Sequence, residues 1–114
     1  MGEIIKRPWG SYKVLVDSAS YKIKEITVNP GHRLSLQSHE ERSETWTVIY
    51  GVATVTMGDV TWNVNEDECV WVEAQTKHRV ANDGRIQLVF IEVQTGNSFD
   101  EEDIIRYEDD YNRV

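Results

Sequence analysis

Apolar positions recur at every second residue in short runs, and turn-forming residues separate the runs. Residues 11–16 (SYKVLV) and 21–28 (YKIKEITV) predict two strands joined across DSAS. In the second, Tyr21, Ile23, Glu25 and Thr27 share one face, and Lys22, Lys24, Ile26 and Val28 the other. Asn29-Pro30-Gly31 is a strong turn signal, because proline presets φ and glycine accepts a positive one. Residues 32–37 lead to His39, and Glu40-Glu41-Arg42-Ser43 predicts an exposed turn. Strands over 45–50 and 52–57 flank Gly51, and Gly58-Asp59 turns the chain into 60–64, where Val60, Trp62 and Val64 face together. After a polar break at 65–68 come a buried strand at 69–72 and another at 77–80. Asn82-Asp83-Gly84 then turns into 85–93, with Ile86, Leu88 and Phe90 opposite Val89, Ile91 and Val93. The acidic tail predicts a short helical turn over 101–106. Many short strands with frequent turns predict an all-β antiparallel barrel or sandwich, and no linker divides the single domain, 1–114.

Within that pattern, Gln37 and His39 are two apart, Glu44 follows five residues later, and His78 lies beyond a long run of strands. Residues i and i+2 of a strand share a face, so Gln37 and His39 can reach one point. Two imidazoles with carboxylate and amide oxygens suit a divalent ion, with zinc first and manganese, iron, cobalt or nickel as alternatives. His32, beside the turn glycine, reads instead as an edge or solvent-facing residue. Trp9, Trp46, Trp62 and Trp71 read as core or barrel-wall residues.

Composition narrows the partners. A chain of 114 residues is long enough for one core, and 39% of it is hydrophobic. A net charge of -8 excludes nucleic acid and anionic membrane as partners of the whole surface, yet leaves room for a local basic pocket and an anionic small substrate. Seven carboxylates crowd residues 100–110 around the single Arg106. The lone Cys69, in the apolar run ECVWV, predicts a buried core thiol and a reducing compartment. With no apolar leader and no run of about 18 apolar residues, the sequence predicts a cytoplasmic protein.

PGHRLSLQSHEERSETWTVIYGVATV (30–55) resembles the first cupin motif. Gly31 stands at its glycine, Gln37 where many cupins have histidine, His39 and Glu44 at two further ligand positions, and Gly51 at its end. Residues 67–82 resemble the second motif, with His78 as its ligand and Asn82 at its end. Asp67 and Gln75 stand where glycines are usual there, and Glu73 where proline is usual. RPWGSY (7–12), LSLQSHEERSETW (34–46), HRVAN (78–82), IEVQTG (91–96) and EEDIIRYEDDYNR (101–113) are similar to the cupin domain of type II phosphomannose isomerases. That domain is often fused behind a mannose-1-phosphate guanylyltransferase. Asn112 stands where a glycine is usual.

The resemblance implies a double-stranded β-helix, or jelly-roll barrel, with a short helical or irregular tail. It implies a divalent metal held by Gln37, His39, Glu44 and His78, and interconversion of mannose 6-phosphate and fructose 6-phosphate through an enediol. Ser35 and Arg42 match substrate-binding positions, Arg42 near the phosphate, and Arg106 matches a tail arginine implicated in catalysis. The general base is open among Glu73, Glu92 and Glu102. Arg42 can equally balance Glu40, Glu41 and Glu44, and Arg106 the tail carboxylates. Two rivals remain: a metal-bearing carbohydrate-binding or regulatory cupin without turnover, and an isomerase or epimerase of another phosphosugar. A homodimer is expected, with the strand at 3–6 added to a neighbour's sheet.

Overall fold

A computed structural model describes residues 2–113. Eleven strands follow in order: β1 (Ile4–Arg7), β2 (Gly10–Asp17), β3 (Tyr21–Val28), β4 (Leu36–Ser38), β5 (Arg42–Tyr50), β6 (Ala53–Met57), β7 (Val60–Val64), β8 (Cys69–Val72), β9 (His78–Ala81), β10 (Leu88–Gly96) and β11 (Ile105–Glu108). They form a six-stranded sheet, β1-β2-β3-β10-β5-β8, and a five-stranded sheet, β11-β4-β9-β6-β7, paired antiparallel throughout. The two sheets close on one core, as the jelly-roll expectation requires. Among the described residues none forms a helix, and so no helix is long and apolar enough to cross a membrane.

Alternation along the strands decides what enters that core. In β10 Leu88, Phe90, Glu92 and Gln94 are buried, in β5 Arg42, Glu44, Trp46 and Val48, and in β3 Lys24, Ile26 and Val28. Register then sorts these side chains by polarity. Phe90 lies across from Val48 and Ile26, Glu92 from Trp46 and Lys24, and Gln94 from Glu44. One end of the barrel is therefore filled by Val28, Val48, Val55, Leu88 and Phe90. The other end is lined by buried charged and amide groups. Burying such groups costs free energy unless each is paired, so this end is where function is to be sought.

Several expectations need correction. Arg42 is no turn residue: it opens β5 and is buried. Gly96 lies opposite it, and a Cβ there would meet Glu41 O at 2.3 Å, so only glycine lets the two strands approach this closely. Of the helical turn expected at 101–106 only one hydrogen-bonded turn forms, from Asp103 N–H to Asp100 O at 3.0 Å, and strand begins at Ile105. Ile105 and Tyr107 alternate with Arg106 and Glu108, a period-two pattern, and β11 pairs with β4. Cys69 is exposed, and so are Trp62 and Trp71, while Trp9 and Trp46 are buried. Cys69 and Trp71 sit on the outer face of β8, whose inner face is Val70 and Val72. The N-terminal strand pairs with β2 of its own chain and stands as the edge strand of the six-stranded sheet, the position from which it would meet a neighbour's sheet.

Three described residues other than glycine have positive φ: Asp67 (71°), Gln75 (71°) and Asn112 (60°). At these three positions the patterns that the chain resembles carry glycine, Asp67 and Gln75 in the second cupin motif and Asn112 in the tail similar to type II phosphomannose isomerases. An L-residue in this region costs about 1–2 kcal/mol, partly offset because glycine is freer in the unfolded chain. Gln75→Gly is therefore expected to stabilise the fold by about 0.5–1 kcal/mol, read as a higher urea midpoint at unchanged slope. A lower midpoint would mean that the exposed Gln75 side chain makes a contribution larger than the strain.

Candidate metal centre

His39 follows β4, Glu44 lies in β5 and His78 opens β9, so the centre joins both sheets at the polar end. One ligand atom of each lies within 4.8 Å of the others, and all three residues are buried. Backbone carbonyls set the tautomers. His39 Nδ1 lies 2.7 Å from Asp103 O and His78 Nδ1 2.9 Å from Thr76 O. A carbonyl only accepts, so each ring donates from Nδ1–H and keeps a lone pair on Nε2. Burial, followed by the charge of Arg42, lowers His39 to a pKa of about 4. Burial likewise lowers His78. His39 Nε2 and Glu44 Oε2 lie 3.4 Å apart, and the Arg42 guanidinium faces both, with Nη2 3.4 Å from His39 Nε2 and Nε donating to Glu44 Oε2 at 3.0 Å. Two neutral imidazoles and a carboxylate whose ligand atoms lie this close are a donor set that fits a divalent ion.

The surroundings hold Glu44 rigidly. Arg42 Nε donates to Glu44 Oε2 at 3.0 Å and Trp46 Nε1 to Glu44 Oε1 at 3.0 Å. Arg42 Nη1 also donates to Asp100 O at 3.2 Å. Thus the guanidinium of Arg42 is occupied in orienting the carboxylate. Asp103 adds a second tie from the tail, because its carboxylate accepts the backbone N–H groups of Glu40 and Glu41 at 3.0 and 2.9 Å.

Beside the three ligand atoms lies Glu92, buried and lining the same cavity. It accepts from Gln94 Nε2 at 2.7 Å and from Trp46 Nε1 at 3.2 Å. Burial first, and the neighbouring Glu44 second, push its pKa up to about 7. Glu73 and Glu102, the other candidate bases, are exposed and outside the cavity lining. Counting its open mouth, the cavity holds about 710 Å³ of empty space.

The structure brings Ser35, Gln37, Arg42 and Arg106 to this cavity with His39, Glu44 and His78. Gln37 sits in register with His78 on one side and Arg106 on the other, and its amide donates to Ser35 O at 3.4 Å. His32 is not a free edge residue, since its Nδ1 meets Tyr111 Oη at 2.7 Å. Sequence reasoning missed Arg7, Lys24, Gln94 and Asp103. Strand parity held the signal for two of them: once Phe90 and Ile26 are taken as inward, Gln94 and Lys24 follow. Arg7 and Asp103 lie where the chain has no alternation to read.

Comparison with known proteins follows from this geometry. A family model described as mannose-6-phosphate isomerase C-terminal matches residues 1–109. Alginate biosynthesis protein AlgA of Pseudomonas aeruginosa is 45% identical over 96% of this chain and 23% of its own length. Mannose-1-phosphate guanylyltransferase ManC of Salmonella typhimurium is 39% identical over the same shares. A Klebsiella pneumoniae protein with a double-stranded β-helix domain superposes with a TM-score of 0.75 at 19% identity, covering 94% of this chain and 86% of that one, which shows the fold. The chain thus spans about a quarter of the curated relatives it matches, and those relatives include enzymes. These findings correct the expected interconversion of mannose 6-phosphate and fructose 6-phosphate. The relatives are named for polysaccharide biosynthesis and guanylyl transfer, and likeness to a quarter of their length does not carry that reaction to this chain.

Proposed function

The chain belongs to the mannose-6-phosphate isomerase C-terminal family of cupins, and from that premise we propose that it is a metal-dependent enzyme module acting on a phosphorylated sugar. The observation that carries the reading is the placing of Glu92, a buried carboxylate with its proton poised near neutrality, in one cavity with His39, Glu44 and His78. Those three residues would hold the ion, with zinc favoured by two imidazoles and one carboxylate. Bound there, a divalent ion polarises oxygens of the sugar and stabilises negative charge as it develops.

The chain's own groups do the rest. Glu92 takes a proton from a sugar carbon or hydroxyl, or returns it, through a carboxylate held by Gln94 at Oε2 and by Trp46 at Oε1. Trp46 donates to both carboxylates at once, so it keeps the proton-transfer group in register with the ligand carboxylate. Arg42 fixes Glu44 against rotation when a substrate displaces water. The relatives' names, alginate biosynthesis protein and mannose-1-phosphate guanylyltransferase, support a phosphorylated hexose as the ligand.

The test is solvent-deuterium exchange into carbon-bound positions of a panel of hexose phosphates, followed by NMR with zinc-loaded and chelated protein. Exchange that needs metal and a phosphorylated sugar is expected. Absence of exchange with every sugar, from folded protein that binds zinc, would sink the enzyme reading.

A further inference from the structure

Residues 97–113 return from the end of β10 to the metal centre and close one side of its cavity. This strap is held mainly by polar contacts. None of its residues is buried as a whole, and Tyr111 alone among them packs against the apolar core. β11 adds three paired positions at the edge of the five-stranded sheet, with an irregularity between Arg106 and Glu108. A segment with few buried apolar contacts on a sheet edge opens at less cost than the strands it rests on.

The contacts that the strap makes are aimed at the ligands. Asp103 O accepts from His39 Nδ1–H at 2.7 Å. Asp100 O accepts at 3.2 Å from Arg42 Nη1, on the guanidinium that holds Glu44. Two of the three candidate ligands are therefore oriented from the strap, His39 directly and Glu44 through Arg42. His78 is oriented by Thr76 O, without the strap.

A second observation concerns the backbone. His39 lies in the link between β4 and β5, outside either strand. The Asp103 carboxylate accepts the N–H groups of Glu40 and Glu41 in that link at 3.0 and 2.9 Å. Asn97 N–H donates to Glu41 O at 2.8 Å. Asp103 thus fixes the link with its side chain while its carbonyl fixes the imidazole.

The chemistry makes the coupling run both ways. A ring that gives its Nε2 lone pair to a cation carries more positive charge at Nδ1–H, which strengthens the bond to Asp103 O. By linkage, a contact that strengthens when the ion binds raises affinity for the ion by the same factor.

We propose that residues 97–113 form a metal-responsive strap, in which Asp103 is the positioning residue that couples docking of the tail to occupancy of His39, Glu44 and His78. This coupling rests on the metal reading above and needs neither the sugar nor Glu92. Glu101, Ile104 and Arg106 belong to the cavity wall, so an ion in the centre also tightens that wall.

The test is amide hydrogen exchange by NMR on the full chain, metal-free and zinc-loaded, alongside zinc affinity by chelator competition. The amides of Glu40, Glu41 and Asn97 bridge the strap and the barrel, and zinc is expected to slow their exchange roughly tenfold or more. Local opening of the distant edge strand β7 is expected to be unaffected. Asp103→Ala is expected to weaken zinc binding about 10–100-fold, with Asp103→Asn intermediate because it keeps one acceptor oxygen. The zinc-dependent slowing at Asn97 is expected to shrink by the same factor as the affinity. A residue that merely braced the tail would speed exchange equally with and without zinc and leave zinc affinity as it was. Asp110→Asn removes the strap's exposed ion pair with Arg33 and is expected to leave both readouts unchanged. Urea midpoints establish that each variant is folded, and the wild-type comparison stands without them. Zinc bound with unchanged exchange at the three amides, or wild-type zinc affinity in folded Asp103→Ala, overturns the strap and leaves the metal centre standing. Folded wild type that binds no zinc overturns both.

Discussion

Replacing His78 by alanine is expected to weaken zinc binding by more than about a hundredfold, measured by competition with a chromophoric chelator. Removing a residue that merely orients a ligand costs 10–100-fold in metal affinity, and removing a ligand from a three-residue set costs more. The tautomer argument makes the effect specific to Nε2. His78 donates its Nδ1–H to Thr76 O and keeps the other nitrogen for the cavity. His32, whose Nδ1 meets Tyr111 Oη, lies outside the group of ligand atoms, and His32→Ala is expected to leave zinc affinity unchanged. The fold tolerates the loss of His78 because the apolar core is at the other end of the barrel. Equal zinc affinity in wild type and His78→Ala would place the ion elsewhere and leave His39 and Glu44 as partners of Arg42 alone.

The sequence carried much of this centre because period-two patterns and ligand spacing are local properties. His39 follows Gln37 by two residues, and the turn at Asn29-Pro30-Gly31 announces the approach to β4. Strands 21–28, 60–64 and 69–72 stand where alternation put them. Alternation does not say which face is inward, and that choice decided several outcomes. Cys69 was expected inside on the strength of an apolar run, but Val70 and Val72 took the inner face of β8. Glu92 remained one of three candidate bases until register set it opposite Trp46 and Lys24. The tail was harder still. Its charges read as a short helical turn in which the carboxylates could balance Arg106, whereas Asp103, Glu101 and Arg106 reach back to the cavity through contacts 60 or more residues distant, such as those of Asp103 with Glu40 and Glu41. Nothing local encodes such contacts. The departures from glycine at Asp67, Gln75 and Asn112 were legible as positions, and the positive φ at each shows the backbone keeping the glycine conformation without the glycine.

Glu92→Gln separates the catalytic carboxylate from a structural one, because it is expected to lower proton exchange while raising stability. Loss of a positioned general base or acid costs about 10²–10⁴-fold in rate, read as deuterium incorporation under zinc saturation. The stability arm follows from the sign of the pKa shift. Glu92 titrates near 7 in the fold, above its ordinary 4.5, because burial and then Glu44 disfavour its charge. The folded state therefore holds the proton more tightly than the unfolded chain, and stability falls as pH rises from 4.5 through 7. At pH 8 the metal-free wild type is expected to be less stable than Glu92→Gln by a few kcal/mol. Below pH 4 the difference is expected to vanish, since Glu92 is protonated in both states. His39 and His78 titrate in the opposite sense, but both proteins contain them, so the comparison of urea midpoints isolates Glu92. Zinc draws both carboxylates toward their charged forms, so loading the ion is expected to shrink the wild-type slope. A variant that loses stability at pH 8 would show that the carboxylate is a net stabilising partner of Gln94 and Trp46. A variant that keeps full exchange would remove Glu92 from the chemistry whatever its effect on the fold.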